Sequence, residues 1–305
     1  MIEPSDNRQQ ENVARIIAQV PGWAGAADLE VEPLAGLTNR NLLITAGGER
    51  FVLRICRDNG AALGIDRALE LAALHAASSI GVGPEVVHAI LPQGHLVTRY
   101  IPGRTWTYEE YCTPETVHRV VETVKRVHAL PATAAQFSPF RRIESYARQA
   151  RALHVPLPAA FDDAMARMRA IEDRQQADGP AIRKLCHNDL FSVNFLDDGS
   201  VRLLDWEFAG MGDPYFDLAT LVYAYDSVGP LPAALEAYLL ACYFGEVDDG
   251  HRARLQDMKY MVHLFAAMWG VLHCGLQRAG VVPPVEGFDY LEFAQYIFQF
   301  TLQAL

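Results

Sequence analysis

Asp198-Gly199 separates two short apolar runs, Phe195-Leu196 and Val201-Arg202-Leu203-Leu204. Aspartate followed by glycine suits the positive φ angles of a tight hairpin turn, so the segment reads as a β-ribbon. Closing a two-residue turn there pairs Asp197 with Ser200, Leu196 with Val201, Phe195 with Arg202 and Asn194 with Leu203. Asn194 and Asp205 then share the open end of the ribbon, and Asp189 sits in the loop that feeds it. Two carboxylates and an amide at one edge suit Mg2+, which takes one or two carboxylates and completes its shell with phosphate oxygens and water. Asp189 can accept a proton from an attacking hydroxyl. Phosphoryl transfer asks for these parts, because its barrier falls mainly through positioning and charge neutralisation. Singly, Asp189 reads as a helix cap, Asn194 as a turn residue and Asp205 as a solvated strand end. Their joint placement favours the chemistry.

The rest of the chain supplies two lobes. Leu29–Leu34, Asn41–Thr45 and Arg50–Ile55 read as a three-stranded meander, with Gly36-Leu37-Thr38-Asn39 and Gly47-Gly48 at its turns. A helix over Ile65–Ser79 follows, with Leu69, Leu71, Ala72, Ala73 and Ala76 available to face the sheet. Strands over Glu85–Ile90 and His95–Tyr100 complete a first lobe over residues 1–101, and Pro102-Gly103 makes a hinge. Residues 102–305 then turn helical. Thr113 caps a helix with Pro114 at its first position, and Val117, Val120, Val121, Val124 and Val127 recur at helical spacing. Further helices are expected over Ile143–His154, Ala159–Gln176, Pro214–Tyr225, Leu231–Tyr243, Arg252–Leu276 and Phe288–Gln303. The expected class is α+β, a five-stranded antiparallel lobe with one helix beside a mostly helical lobe.

Composition narrows the partners. A formal charge of −11 without a basic cluster argues against nucleic acid. It fits a cationic small molecule. Cys56, Cys112, Cys186, Cys242 and Cys274 are scattered, without the close pairs of zinc sites, and read as free thiols in a reducing compartment. The polar start Met1-Ile2-Glu3-Pro4-Ser5-Asp6 is no signal peptide. Tyr260–Leu276 is short for a membrane span and carries His263 and His273, so a buried core helix is expected and no membrane insertion. The expected location is cytoplasmic, and the sequence leaves the oligomeric state open.

His187-x-Asp189-x-x-x-x-Asn194, followed by Asp205 after an apolar strand, resembles the catalytic and metal-binding signature of the protein-kinase-like superfamily. The run Leu204-Asp205-Trp206-Glu207-Phe208-Ala209-Gly210, then Gly212-Asp213-Pro214-Tyr215-Phe216-Asp217-Leu218-Ala219, is similar to the aminoglycoside phosphotransferase and choline kinase family, most of all to its bacterial choline kinases. The resemblance covers nearly the whole chain in element order. It implies that Asp189 is the catalytic base, that Asn194 and Asp205 bind Mg2+, and that His187 and Asp217 brace the catalytic loop. Asp213 also reads as a helix cap ahead of Pro214.

The same resemblance implies an ATP site. Arg54, within Val52-Leu53-Arg54-Ile55, takes the strand position of the phosphate-binding base, where most of the superfamily has lysine and the choline kinase branch has arginine. Glu70 is its implied helix partner. Gly36, Thr38 and Asn39 lie where the phosphate-covering loop is expected, and Thr98 and Tyr100 lie in the connector whose backbone would hold adenine. For the acceptor, a choline kinase implies an aromatic box and a carboxylate around a quaternary ammonium. Trp269 and Tyr290 are the candidates, with Trp206, Phe208, Tyr215 and Tyr223 nearer the catalytic segment and Glu207 as the carboxylate. Choline or ethanolamine is the expected acceptor; thiamine, an aminoglycoside or another amino alcohol are alternatives, as is an inactive nucleotide-binding module.

Overall fold

The computed structural model describes residues 4–303, apart from 27, 37, 178, 180, 181 and 226. Met1–Glu3 and Leu37, on which parts of the reading above fall, lie outside the described residues. Two compact units emerge, one of Met1–Arg57 with Pro84–Ile101, the other of Asp58–Gly83 with Pro102–Leu305.

In the first unit, β1 (Glu30–Leu34), β2 (Arg40–Ala46), β3 (Glu49–Ile55), β4 (Val86–Ile90) and β5 (His95–Arg99) form an antiparallel sheet in the order β1-β2-β3-β5-β4. The strands alternate as a half-buried sheet should, with Leu42, Ile44, Phe51, Leu53 and Ile55 turned inward. A helix that the sequence reading did not name, α1 (Pro4–Ile17), supplies Val13 and Ile16 to this core. Val20 and Trp23 continue it, with the Trp23 and Phe51 rings 5.5 Å apart.

Helices α2 (Gly60–Leu63) and α3 (Arg67–Ser79) group with the second unit, whereas the sequence reading had assigned them to the sheet's lobe. The reason is a set of specific bonds. From α6 (Pro139–Ala152), Arg142 and Tyr146 donate to the Leu63 carbonyl at 2.7 and 3.1 Å, and Gln149 to that of Ala62 at 2.8 Å. The Leu203 N–H donates to the Val82 carbonyl at 3.0 Å. Within α3, Ala73, Leu74 and Ala77 are the apolar residues buried.

Short α4 (Tyr108–Tyr111) precedes α5 (Pro114–His128), whose Thr113 cap and valine stripe match expectation, each of those valines being 1% exposed. Then follow α7 (Phe161–Ala177), β6 (Lys184–Cys186), β7 (Phe195–Asp197), β8 (Val201–Leu203), β9 (Gly210–Gly212), α8 (Pro214–Val222), α9 (Ala233–Phe244), α10 (Asp249–Arg278) and α11 (Tyr290–Gln303). Helix α10 packs against α6, α8 and α11, which accounts for the apolar run Tyr260–Leu276 as core. Among the described residues no helix is long and apolar enough to cross a membrane.

The ribbon differs from expectation by one residue. Asp197 pairs with Val201, Leu196 with Arg202 and Phe195 with Leu203, so three residues make the loop. The loop is built by its own side chains: Asp197 Oδ1 accepts from the Gly199 N–H at 3.0 Å and Asp198 Oδ1 from that of Ser200 at 3.1 Å. Gly199 takes φ +99°, which only glycine adopts readily. Asn194 therefore faces Leu204, whose N–H donates to its carbonyl at 2.9 Å, and stays adjacent in register to Asp205.

Asp197 ties this ribbon down. It accepts from Trp106 Nε1 at 3.0 Å and from Arg119 at 2.8 and 2.9 Å, and those Arg119 bonds do most to hold its carboxyl down at about 2. A depressed carboxyl contributes stability above its ordinary value of 3.8 and loses it as pH falls toward about 2. Replacing Asp197 with Asn should therefore cost about 2 kcal/mol near neutral pH. The gap to the native chain should narrow steadily below about pH 4. Urea denaturation at several pH values checks this; a gap independent of pH would contradict it.

Candidate active site

The loop after β6 hangs on one carboxylate. Asp217, in the first turns of α8, is fully buried; its Oδ2 accepts the His187 N–H at 2.8 Å and its Oδ1 that of Asn188 at 2.6 Å. Asn188 sits at φ +65° and donates through Nδ2 to the Phe208 carbonyl at 2.9 Å. Asparagine tolerates that left-handed conformation better than most residues. His187 Nε2 lies 2.9 Å from the Leu204 carbonyl, and burial lowers the imidazole to about 4. The ring is therefore neutral near pH 7 and donates from Nε2, packing edge-on against Trp206 at 4.7 Å.

Asp189 and Asn194 come together as expected. Asn194 Nδ2 donates both to the Asp189 carbonyl and to its Oδ2, each at 2.8 Å. The Asn194 amide oxygen thus points away from the Asp189 carboxylate. Asp189 keeps some open surface, yet protein encloses it enough to desolvate the charge. Burial, then the charges of Asp205 and Glu207, push its carboxyl well above the usual range, against the opposing Asn194 bond. Asp205 stands at φ +58°, a strained setting for a non-glycine residue and one typical of functional sites.

A divalent cation fits this donor set. Hard oxygens from Asn194 and Asp205 sit at neighbouring register positions, and the charges of Asp205 and Glu207 raise the proton affinity of Asp189, a repulsion that positive charge would relieve. His128, Cys186 and Asp217 also lie within 4.8 Å of one another, but Asp217 spends its oxygens on the loop amides and His128, and burial keeps the Cys186 thiol protonated.

Glu207 and Glu70 share a cation that the sequence reading missed. Arg67 Nη1 bonds Glu70 at 2.8 Å and Glu207 at 3.0 Å, all three nearly buried. Glu207 is thus held in an ion pair beside Asp189 rather than presented openly to a ligand. In the sheet's unit, Arg54 lies half-buried on β3, opposite Asn41 and Leu96. Gly36 is required where it stands, because a Cβ there would lie 2.7 Å from both the Asn39 carbonyl and the Asn41 amide. Asn39 is 5% exposed and Thr38 more open, so Thr38 is the better placed of the two to meet a phosphate. Thr98 lies in β5, and the Tyr100 N–H is committed to the Arg50 carbonyl at 3.1 Å. Arg50 also stacks over the Tyr100 ring at 4.3 Å.

Trp269 and Tyr290 do come together. Their rings are 5.6 Å apart, and His273 joins them at 4.0 Å from Trp269 and 5.0 Å from Tyr290. Phe288 and Phe293 extend the group. Tyr290 is 2% exposed and so packs as core, whereas Trp269 is only half-buried. Trp206 and Phe208 are buried beneath the loop, Tyr215 stacks on Phe244, and Tyr223 stacks on His263.

Two further residues escaped the sequence reading although each left a trace. Asn188 stands between His187 and Asp189 in the motif itself. His128 falls seven residues after Val121 and four after Val124, a polar group on the buried stripe of α5.

Comparison with known proteins gives the family and the fold. The family model APH, described as the phosphotransferase enzyme family, matches residues 30–255. A choline/ethanolamine kinase family protein from Mesorhizobium loti, solved as a crystal structure, is 30% identical, with 97% of this chain and 94% of that one covered and a TM-score of 0.74. The choline kinase LicA from Streptococcus pneumoniae shares the fold at 21% identity, covering 97% and 98% of the two chains with a TM-score of 0.78. Protein LicA of Haemophilus influenzae is 26% identical over 243 residues, 76% of this chain and 68% of its own length. With His187, Asp189, Asn194, Asp205 and Asp217 gathered around one loop, and the family model spanning most of its length, this chain belongs to the APH phosphotransferase enzyme family.

Proposed function

We propose that this protein transfers the γ-phosphoryl group of ATP to the hydroxyl of a cationic amino alcohol, choline or ethanolamine. The observation that carries the reading is the Asn194 amide bonding to both the Asp189 backbone and its carboxylate, with Asp205 beside it in register. Asp189 is the base. It takes the acceptor's proton as the hydroxyl oxygen bonds to phosphorus and the bond to the ADP oxygen breaks. Its elevated proton affinity suits that step, since a stronger base accepts a proton more readily once ionised. Asn194 holds the carboxylate still; His187 and Asp217 fix the loop beneath it. Asn194 and Asp205 would hold Mg2+, which when bound neutralises phosphate charge. Arg54, Thr38 and the loop at Gly36 are assigned to the nucleotide phosphates, and Thr98 and Tyr100 to the neighbourhood of the base; Glu70, bonded to Arg67, is assigned to bracing within its own unit.

The acceptor class rests on two supports. One is the likeness to a choline/ethanolamine kinase family protein. The other is the half-buried Trp269 in its aromatic group, whose face suits a cation poor in hydrogen-bond donors. Glu207, bonded to Arg67, is assigned to bracing rather than to the acceptor. Five free thiols suit a reducing, cytoplasmic setting.

Four experiments test the proposal. Asp189→Asn should cut turnover by about a thousandfold or more. The same change should raise the melting temperature of the metal-free protein. A carboxyl raised above its unfolded value weakens the fold as pH climbs through the folded value, so the variant's advantage should grow with pH. A variant that melts below the native chain at every pH would contradict the crowding. Asp205→Ala should abolish the Mg2+ dependence of nucleotide binding, read by fluorescence titration of an ATP analogue; unchanged metal response removes Asp205 as a ligand. ADP release measured over choline, ethanolamine, thiamine and an aminoglycoside should favour the first two. Trp269→Ala should then raise KM for the amino alcohol about tenfold while leaving KM for ATP within about twofold. Preference for an aminoglycoside would reject the acceptor class.

A further inference from the structure

We propose that Arg67 is a positioning residue for the divalent-ion site, tying the turn that follows Asp205 to α3 through Glu207. The inference rests on the reading of Asn194 and Asp205 as ion ligands. Its own grounds are geometric.

Arg67 stands where helix preferences argue against it. It opens α3 behind an Asp66 cap that accepts from the Ala68 and Leu69 N–H groups at 2.9 and 3.1 Å. The amino end of a helix carries partial positive charge, so a cation in that turn is disfavoured. A residue that breaks the local rule is held there by something more distant. Here one nitrogen, Nη1, bonds Glu70 Oε2 at 2.8 Å and Glu207 Oε2 at 3.0 Å. All three side chains are at least nine-tenths buried.

The packing leaves the guanidinium little freedom. A Cβ at Gly60 would lie 3.6 Å from Nε and 3.7 Å from Nη2, so the first residue of α2 sits directly against it. Helix α2 is in turn bonded to α6 through the Ala62 and Leu63 carbonyls. Glu207 gives this fixed cation its hold on the site. It lies two residues beyond Asp205, whose φ of +58° persists only where the surroundings impose it. On the near side, the Leu204 N–H donates to the Asn194 carbonyl at 2.9 Å. On the far side, the Ala209 N–H closes the turn onto the Trp206 carbonyl at 3.0 Å, and Arg67 grips Glu207 inside that turn. With the guanidinium gone, two buried carboxylates would lose their shared counter-charge, and the turn would open to hydrate Glu207, drawing Asp205 out of place.

The sign of the effect on Mg2+ separates positioning from charge. By Coulomb's law, deleting a cation beside Asp205 and Glu207 makes the site more negative and Mg2+ binding tighter. Positioning demands the reverse, because a displaced ligand weakens the ion's hold.

The experiment uses the full chain and reads Mg2+-dependent binding of a fluorescent ATP analogue, together with amide hydrogen exchange of the metal-free protein. Arg67→Met should raise the Mg2+ concentration for half-maximal binding about tenfold. Exchange of the Leu204 and Ala209 amides should accelerate at least about tenfold more than the average for the chain. Arg67→Lys keeps the charge on a shorter side chain and should show a milder version, about threefold in Mg2+. An unchanged or lowered Mg2+ requirement in folded Arg67→Met overturns the proposal, as does native exchange at both amides. Should the methionine variant not fold, a native Mg2+ requirement and native exchange in Arg67→Lys overturn it equally. Asp205→Ala run alongside separates the two readings: an unchanged Mg2+ response there rejects the ligand assignment itself. A lost response there, with native or tighter Mg2+ binding in Arg67→Met, rejects only the positioning role.

Discussion

A single buried carboxylate, Asp217, decides where the chemistry of this protein can stand. Loops carry unpaired backbone donors, and a buried loop must satisfy them locally or stay on the surface. Here two successive N–H groups, those of His187 and Asn188, end on the two oxygens of one side chain. The backbone is held against α8 without any strand pairing, which lets it take the left-handed turn at Asn188 and present Asp189 outward. Asn194 then grips Asp189 from the other side through two bonds. Asp189 is clamped at both its main chain and its carboxylate.

Clamping has an electrostatic consequence. Asp189, Asp205 and Glu207 are drawn into each other's fields in a partly dry site, and Asp189 bears the effect as a raised proton affinity. Arg67 offsets part of that charge by bonding Glu207 and Glu70 with the same guanidinium nitrogen. Such crowding of like charge opposes stability in the empty protein and would be relieved by positive charge, a division seen where function and stability compete. The strained φ of Asp205 belongs to the same pattern.

Much of this was legible in the sequence because the signals were local. The Asp198-Gly199 turn, the Thr113-Pro114 helix start and the alternation of Phe51, Leu53 and Ile55 follow from backbone preferences within a few residues. The catalytic spacing from His187 to Asn194 likewise lies within one loop. What escaped was set at long range. The sheet's core is closed by α1, whose Val13 and Ile16 lie three residues apart amid polar residues, with Val20 following just after the helix. Helix α3 looked like that partner because of its alanines and leucines, yet it groups with the helical unit, to which its own Arg67 is bonded through Glu207. His128 was hidden for the same reason: a lone histidine on a valine stripe reveals its partner only once α8 is packed beside it.

The ribbon's turn illustrates how closely length governs geometry. Three residues close it where aspartate and glycine suggested two, and Leu204 rather than Leu203 stands across from Asn194. Side chains alternate faces along a strand, so a slip of one residue inverts what a strand presents. The segment 198–200 thus behaves as a ruler. Deleting a residue from it would slide Asp205 past Asn194 and turn one of the pair to the opposite face, undoing the ion site proposed for them without altering either residue.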